Sequence, residues 1–524
     1  MWRIVFYLLS LLALVTVGLL TPADPEVLYA LIVIVPLIAL GTYDIASSHN
    51  VLSNYPLIGH LRYMMEFISP EIRQYFLEDD KSGRPFNRQQ RDLVKARGRG
   101  ESGTHPFGTE YDIEQPGYDF ALHSIAVKEL PDSAERVMVG GPLCRQPYLS
   151  SRLNISAMSF GALSSHAVLA MNKGAAMGGF AQDTGEGGLT PYHLEHGADV
   201  IWEIGSGYFG CRTKAGRFDD EDFRKKAGNP LVKMIEIKLS QGAKPGHGGM
   251  LPGKKVTAEI ARIREVPEGE DCLSPAVHRE FHTPRGLLDF VARLRRLCDG
   301  KPVGFKLCIG RRSEFLGICK AMLSSGILPD FITVDGAEGG TGAAPVELSD
   351  KLGLCIDEAL PFVHSALVGC DLRQAIRVIA SGKVVSGFDM VHKLAIGADI
   401  CNVARPMMFA VGCIQALRCH TGTCPTGVAT QDPRRARALK IDERAGHVKN
   451  YHRATIDSFM QITGALGAAS PGQLTPAHIL HRLPNERACS YAELYCYLER
   501  GALLRDEVPE AFADDWSAAN AEQF

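Results

Sequence analysis

The chain has no surplus of either charge and no long basic block. Its 56 lysines and arginines face 59 aspartates and glutamates, a net charge of −3 over 524 residues. That balance leaves no electrostatic footprint for nucleic acid. The densest basic run, Arg434-Arg435-Ala436-Arg437, reads as a solvated helix face. A disulfide framework is also missing: the 14 cysteines show no paired spacing, which suits a reducing compartment. Neither a zinc-finger spacing nor the C-x2-C-x2-C run of ferredoxins occurs.

What is present begins with two apolar runs. Ile4 to Leu20 and Val27 to Tyr43 carry no charge, and each is long enough to cross about 30 Å of hydrocarbon. A cleaved signal peptide with Arg3 as its basic flank is the alternative for the first run. The second run follows at once, across the turn-like Thr21 to Glu26, so a transmembrane hairpin is expected. Arg3 before it, the acidic turn within it, and His60, Arg62 and Arg73 after it place both ends on the cytoplasmic side of the inner membrane, with the catalytic body.

Residues 44–150 are expected to form an adaptor. Pro56 to Phe67 has helical spacing suited to packing on the body, whereas Lys81 to Thr109, polar and rich in Gly and Arg, is expected to be irregular. From Leu153 the pattern changes. Short apolar segments that end in Gly or polar residues alternate with helical ones such as Ser164–Met177 and Pro284–Cys298. The strand candidates are Leu153–Ala157, Gly179–Gln182, Val200–Glu203, Lys233–Lys238, Val303–Leu307, Phe331–Val334, Ala375–Ala380 and Ile400–Val403. This is the pattern of an α/β chain folded as a (β/α)8 TIM barrel over residues 151–450. The hairpin (1–43) and adaptor (44–150) precede it, and a helical extension (451–524) follows, in which Cys489 and Cys496 share a buried helix face. A doubly wound sheet is the alternative; it carries its glycine fingerprint at the first strand, whereas here polar residues follow nearly every strand.

Those strand ends hold the candidate site. Met158-Ser159-Phe160-Gly161 follows the first strand, and Asp183 to Gly188, with Glu186, follows the second. The fourth ends in Lys238 and runs into Ser240 to Gly249, with Gln241 and Lys244; Lys306 lies in the fifth, and Asp335 to Gly342, with Gly340, follows the sixth. A lysine inside an apolar strand is costly unless an anion or an electron-rich ring neutralises it. A flavin calls for such a cation beside its N1–C2=O edge, and a buried ion pair is the plainer account of Lys238 and Lys306. Further on, Gly382, Lys383 and Gly387 punctuate a loop that opens a helix, and a later strand ends at Ala404-Arg405. Backbone N–H groups at such points form a phosphate cradle. Cys413, Cys419 and Cys424 follow in a C-x5-C-x4-C spacing ahead of Pro425. Three clustered thiols are either small buried apolar residues or ligands of a metal cluster, and three ligands suit a [3Fe–4S] cluster better than a four-ligand one.

Several stretches together resemble the FMN-binding synthase domain of glutamate synthase over roughly residues 130–450. They are Ser156-Ala-Met-Ser-Phe-Gly161, Thr184-Gly-Glu-Gly-Gly188, the Lys238-to-Gly246 loop, Gly339-Gly-Thr-Gly-Ala343, and Cys419-His-Thr with Cys424-Pro-Thr-Gly-Val-Ala-Thr-Gln431. The resemblance implies FMN at the barrel's C-terminal face, a [3Fe–4S] cluster beside it, and reductive amination of 2-oxoglutarate to glutamate through 2-iminoglutarate. Its cluster ligands would be Cys413, Cys419 and Cys424. The flavin would touch Met158, Ser159, Glu186, Lys306 and Gly340, with its phosphate at Gly382, Lys383, Gly387, Ala404 and Arg405. The 2-oxo acid would be held by Gln241, Lys244 and Arg264, with Lys238 and Glu186 as the catalytic pair beside the ring. Arg264 has a second reading as a surface residue of an amphipathic helix.

Two positions depart from the family pattern, Met250 for a glutamine and His247 for an acidic residue. They motivate a second reading, a different amine or oxo acid, as in N-methylglutamate synthase. A third is a non-catalytic membrane electron-transfer subunit. No counterpart of the family's glutaminase domain is recognised, so ammonia would come free or from a separate glutaminase subunit. Nor is a nicotinamide-binding unit, so ferredoxin, a reductase subunit or a membrane carrier would supply electrons.

Overall fold

The computed structural model describes residues 2–101, 103–104, 106–484 and 487–524. It divides into two compact units, one up to Gln89 and one over Gln90–Phe524.

In the first unit, helix Trp2–Leu20 turns back through a 3-10 segment, Pro25–Ala30, into helix Leu31–Ala46. Both spans are long and apolar enough to cross a membrane, and their large side chains, such as Leu8, Leu12, Ile32 and Val33, are exposed. Gly41 near the end of the second span meets the ring of Phe6 near the start of the first, so the two run antiparallel. Beyond them, Arg3 reaches Ser53 Oγ and Asn54 Oδ1, both at 3.2 Å. Asp44 is fully buried, accepts from Leu57 N, and lies 2.9 Å from His60 Nε2. Helix Gly59–Ile72 follows, with Leu61, Met64 and Met65 exposed.

The second unit is built on eight parallel strands that close on themselves. They are β1 (Leu153–Ile155), β2 (Ala181–Asp183), β3 (Asp199–Ile204), β4 (Val232–Lys238), β5 (Val303–Leu307), β6 (Phe331–Asp335), β7 (Arg377–Ser381) and β8 (Ile400–Val403). β8 pairs with β1, for example Asn402 with Asn154, and β4 pairs with β5, Lys238 standing beside Lys306. Every strand is buried on both faces, which is why each reads as an apolar run. Ser164 caps helix Ser165–Gly178 through Ala167 N, and Thr283 caps helix Pro284–Leu297 through Gly286 N. Helix Ile441–Ala465 follows β8 and crosses two others. Its Val448 and Ala445 lie against Gly174, and its Ser458–Phe459 backbone against Gly387, too close in each case for a side chain.

A two-stranded hairpin, Arg136–Val139 with Tyr148–Ser151, closes the N-terminal end of the barrel. Val139 and Tyr148 join Ala181, Ile201, Met234, Phe331, Ile379 and Ile400 in one apolar cluster. Asp330 ties this end together: it takes Arg295 at 2.8 Å, Gly141 N and Val303 N. The C-terminal ends of the eight parallel strands lie at the opposite end.

Two expectations fail. Residues 81–109 contain a helix, Arg88–Arg99, which buries Arg91, Val94 and Gly98, half-buries most of its other side chains, and exposes Asp92 and Arg99. The tail is only partly helical: Ile479–Arg482 and Ala488–Ser490 form a three-stranded antiparallel sheet with Asp119–Ala121. Cys489 is therefore on a strand and half-buried, and Cys496 lies exposed beyond the short helix Tyr491–Leu494, so the two share no helix face.

Candidate active site

Three cations surround one carboxylate at the open mouth. Glu186, on the loop after β2, takes Lys238 Nζ at 2.8 Å from the end of β4. Lys244 and Arg264 both act on Glu186 as well. Burial alone would raise the Glu186 pKa; Lys238, Lys244 and Arg264 together reverse this and hold it at about 2. The group thus carries a surplus of two positive charges. Lys244 is 4% exposed, and burial pulls its ammonium pKa down while Glu186 opposes the shift. Arg264 is buried, against its reading as a surface side chain: its Nη2 donates to Phe160 O at 3.0 Å, and its guanidinium stacks 5.3 Å above the Phe209 ring.

The backbone is fitted closely around this group. A β-carbon on Gly249 would collide with the Glu186 carboxylate, and one on Gly187 would lie 2.8 Å from Ser159 Cβ and 3.0 Å from Arg264 Nη2. Asp335 Oδ2, at the end of β6, accepts Gly242 N at 2.8 Å and anchors the loop that carries Gln241 and Lys244. Met250 and His247 are exposed on the same stretch.

Inside the barrel lies a second charged group, which sequence reasoning missed except for its lysine. Lys306 Nζ is 2.8 Å from Glu203 and 4.0 Å from Glu236. Asp183, Glu203 and Glu236 all lie within 4.8 Å of one another. Burial would lower the Lys306 pKa, but Glu203, Glu236, Asp335 and Asp183 raise it well above the usual value. Burial pushes Glu236 up to about 7, with Glu203 adding to the rise and Lys306 opposing it. Glu203 and Glu236 were visible as charges inside apolar strands; what was not visible is that separate strands bring them to one lysine.

The ends of β6, β7 and β8 converge beside this layer. Arg405 Nη2 donates to Glu338 O at 2.7 Å. A β-carbon on Gly340 would lie 2.9 Å from the Arg405 side chain, and one on Gly382 would lie 3.0 Å from Glu338 Oε1. Lys383 adopts a left-handed φ of 42°. Gly387 stands apart from this cradle, against the helix Ile441–Ala465, and the nearby Val385 and Ser386 N–H groups are taken by Asp389 at 2.8 Å. Asn402 Oδ1 on β8 is buried and lacks a hydrogen-bond partner, an acceptor that a flavin ring N–H would satisfy. A cation, close-set glycines and an orphan acceptor fit a phosphorylated ring across the mouth.

Cys413, Cys419 and Cys424 follow β8 on one loop; among the described residues the three thiols do not all lie within 4.8 Å of one another. Burial pushes Cys413 up to about 12 and Cys419 also upward, each further raised by the neighbouring thiols. Cys424 resists its own burial and lies below the usual value, through Thr426 and backbone N–H groups of Ala429, Thr426 and Val428. Gln415 N donates to Cys413 Sγ at 3.4 Å. N–H groups aimed at sulfur are the donor set a thiolate cluster calls for. Lys255, which the sequence did not single out, donates to Cys419 O at 2.6 Å. Burial lowers its pKa, and Cys419 and Cys424 oppose the change.

Residues 127–469 match the family model described as "Conserved region in glutamate synthase". A glutamate synthase large subunit-like protein of Bacillus subtilis is 39% identical over 83% of this chain and 90% of its own length. The archaeal glutamate synthase [NADPH] of Methanocaldococcus jannaschii is 35% identical over 62% of this chain, which spans only 60% of that relative. The glutamate synthase [NADPH] large chain of Bacillus subtilis is 31% identical over 60% of this chain and 20% of its own length. With the family region covering well over half its length, this chain belongs to the glutamate synthase family of oxidoreductases.

Proposed function

We propose that the chain is a membrane-anchored FMN and iron–sulfur oxidoreductase that converts 2-oxoglutarate and ammonia to glutamate. The observation that carries this reading is the pair of unneutralised positive charges left when Lys238, Lys244 and Arg264 gather on Glu186. A dianionic oxo acid supplies the two missing negative charges. Lys244 and Arg264 bind its carboxylates, Arg264 offering the planar fork that suits a bidentate grip. Gln241, on the loop held by Asp335, orients the oxo carbon.

Glu186, ionised at any working pH, orients Lys238 and is not itself a proton donor. Lys238 Nζ delivers the proton that leaves with the oxo oxygen as water. Overall, 2-oxoglutarate, ammonium, two electrons and two protons give glutamate and water. Met158, Ser159, Lys306, Gly340, Gly382, Lys383, Ala404 and Arg405 would hold an FMN, whose chemistry is hydride transfer, and Cys413, Cys419 and Cys424 would hold a cluster, whose chemistry is single-electron transfer. The electrons come from ferredoxin, a reductase subunit or a membrane carrier. The two apolar helices form a hairpin in the inner membrane with the barrel on the cytoplasmic side.

The test is reoxidation of chemically reduced enzyme by 2-oxoglutarate plus ammonia, with glutamate measured as product. Failure with ammonia but reoxidation with methylamine would replace the amine, a reading that Met250 and His247 support. Failure with both, in an enzyme that carries flavin, refutes the amination. Inactivity of Lys244→Ala with intact electron transfer to an artificial acceptor separates an enzyme from an electron-transfer subunit.

A further inference from the structure

Away from the mouth, the buried lysines of this fold find either a carboxylate, as Lys306 finds Glu203 and Lys393 finds Asp357, or two backbone carbonyls, as Lys301 finds Ala227 O and Asn229 O. Lys255 departs from that pattern. It is 4% exposed, although its neighbour Lys254 is open to water. Among the described residues no carboxylate lies within 4.0 Å of its ammonium. Among the same residues its side chain makes one hydrogen bond, to Cys419 O at 2.6 Å. Its Cε would lie 3.5 Å from a β-carbon on Gly422, so its stem runs along the turn between Cys419 and Cys424.

Chance does not place it there, because the backbone that carries it is held on both sides. Gly253–Lys255 is a 3-10 turn, with Lys255 N on Pro252 O and Gly253 N on Asp271 Oδ1. Thr257 then caps helix Ala258–Arg264, which brings Arg264 to the active site. The facing turn is braced by Thr430 Oγ1 on Gly422 O at 2.6 Å. A buried ammonium without an anion is strongly unfavourable. A cluster on three thiolates is an anion, and it becomes more negative by one unit when it takes an electron.

We propose that Lys255 is the counter-ion of the iron–sulfur centre: a positioning residue that fixes the cysteine turn through Cys419 O and holds the centre's reduction potential high. The proposal rests on the assignment of Cys413, Cys419 and Cys424 as cluster ligands. Its charge stabilises the reduced centre more than the oxidised one, so removing it moves the potential negative.

The test is an anaerobic redox titration of the full-length protein, followed by electron paramagnetic resonance, with iron content measured on the same samples. Lys255→Gln keeps a hydrogen-bond donor and loses the charge; Lys255→Arg keeps both. The expected result is full iron in both variants, with the reduced fraction of Lys255→Gln at fixed potential at least tenfold lower, a shift of about 59 mV for one electron. Lys255→Arg stays near the wild-type value. Loss of iron from Lys255→Gln but not from Lys255→Arg also supports the role of the charge. An iron-replete Lys255→Gln at the wild-type potential overturns the proposal, as does equal loss of iron from both variants. Wild-type protein without iron overturns the cluster assignment itself, a separate outcome.

Discussion

Replacing Glu186 by Gln removes the one negative charge among Lys238, Lys244 and Arg264, and its cost can be worked out. The carboxyl is held at about 2, from an ordinary value of 4.5. At about 1.36 kcal/mol per unit, a depression of roughly 2.5 units contributes about 3 kcal/mol of stability at neutral pH. Because the folded-state value is depressed, that contribution is fully present above the unfolded-state value and is lost as the pH falls toward the folded one. Glu186→Gln should therefore be about 3 kcal/mol less stable than wild type at pH 7, with a constant gap down to about pH 5. The gap then closes, to about 1.4 kcal/mol at pH 3. Denaturant titration of the detergent-solubilised protein, followed by fluorescence including that of the buried Trp202, measures it. A variant as stable as wild type at pH 7, or a gap that widens on acidification, would refute the claim that three cations keep Glu186 ionised.

Other substitutions test separate parts of the molecule. Lys244→Met should weaken 2-oxoglutarate binding by about 3 kcal/mol, roughly a hundredfold, because a buried carboxylate loses its partner; calorimetry on the oxidised enzyme reads it. Arg264→Lys should cost about tenfold in the same measurement, since the charge stays but the planar fork is lost. Gly249→Ala drives a β-carbon into the Glu186 carboxylate, and should lower the unfolding midpoint by the equivalent of about 1–3 kcal/mol. Arg295→Met strands the buried Asp330 charge and should destabilise the barrel by about 3–5 kcal/mol without changing substrate affinity; a loss under 1 kcal/mol would contradict this account of the closed end.

The barrel was legible because parallel strands covered on both faces must be apolar throughout, and polar residues can return only where they end. Val303–Leu307 and Ile400–Val403 fall where the pattern puts them, while β2 and β7 are displaced by one or two residues, where glycine or alanine blurs the edge. Helix Arg88–Arg99 was missed because three inward positions, one of them Arg91 and one glycine, leave little apolar periodicity to detect. The tail misled for the opposite reason: the apolar residues of Tyr491 to Leu504 recur at helical spacing but serve a four-residue helix, an irregular stretch and a 3-10 turn. At the mouth, glycines and charges marked loops that the strand ends bring together, and Arg264 looked equally suited to a surface. Lys255 could not be told from Lys254 in sequence, since only the fold turns one inward.

The hairpin at the base of the barrel makes the chamber a blind alley. Whatever reaches Glu186 must leave by the entrance it used, because Val139 and Tyr148 plug the far end. Product still seated on Lys244 and Arg264 would then bar the next substrate, so glutamate should act as a competitive inhibitor against the oxo acid.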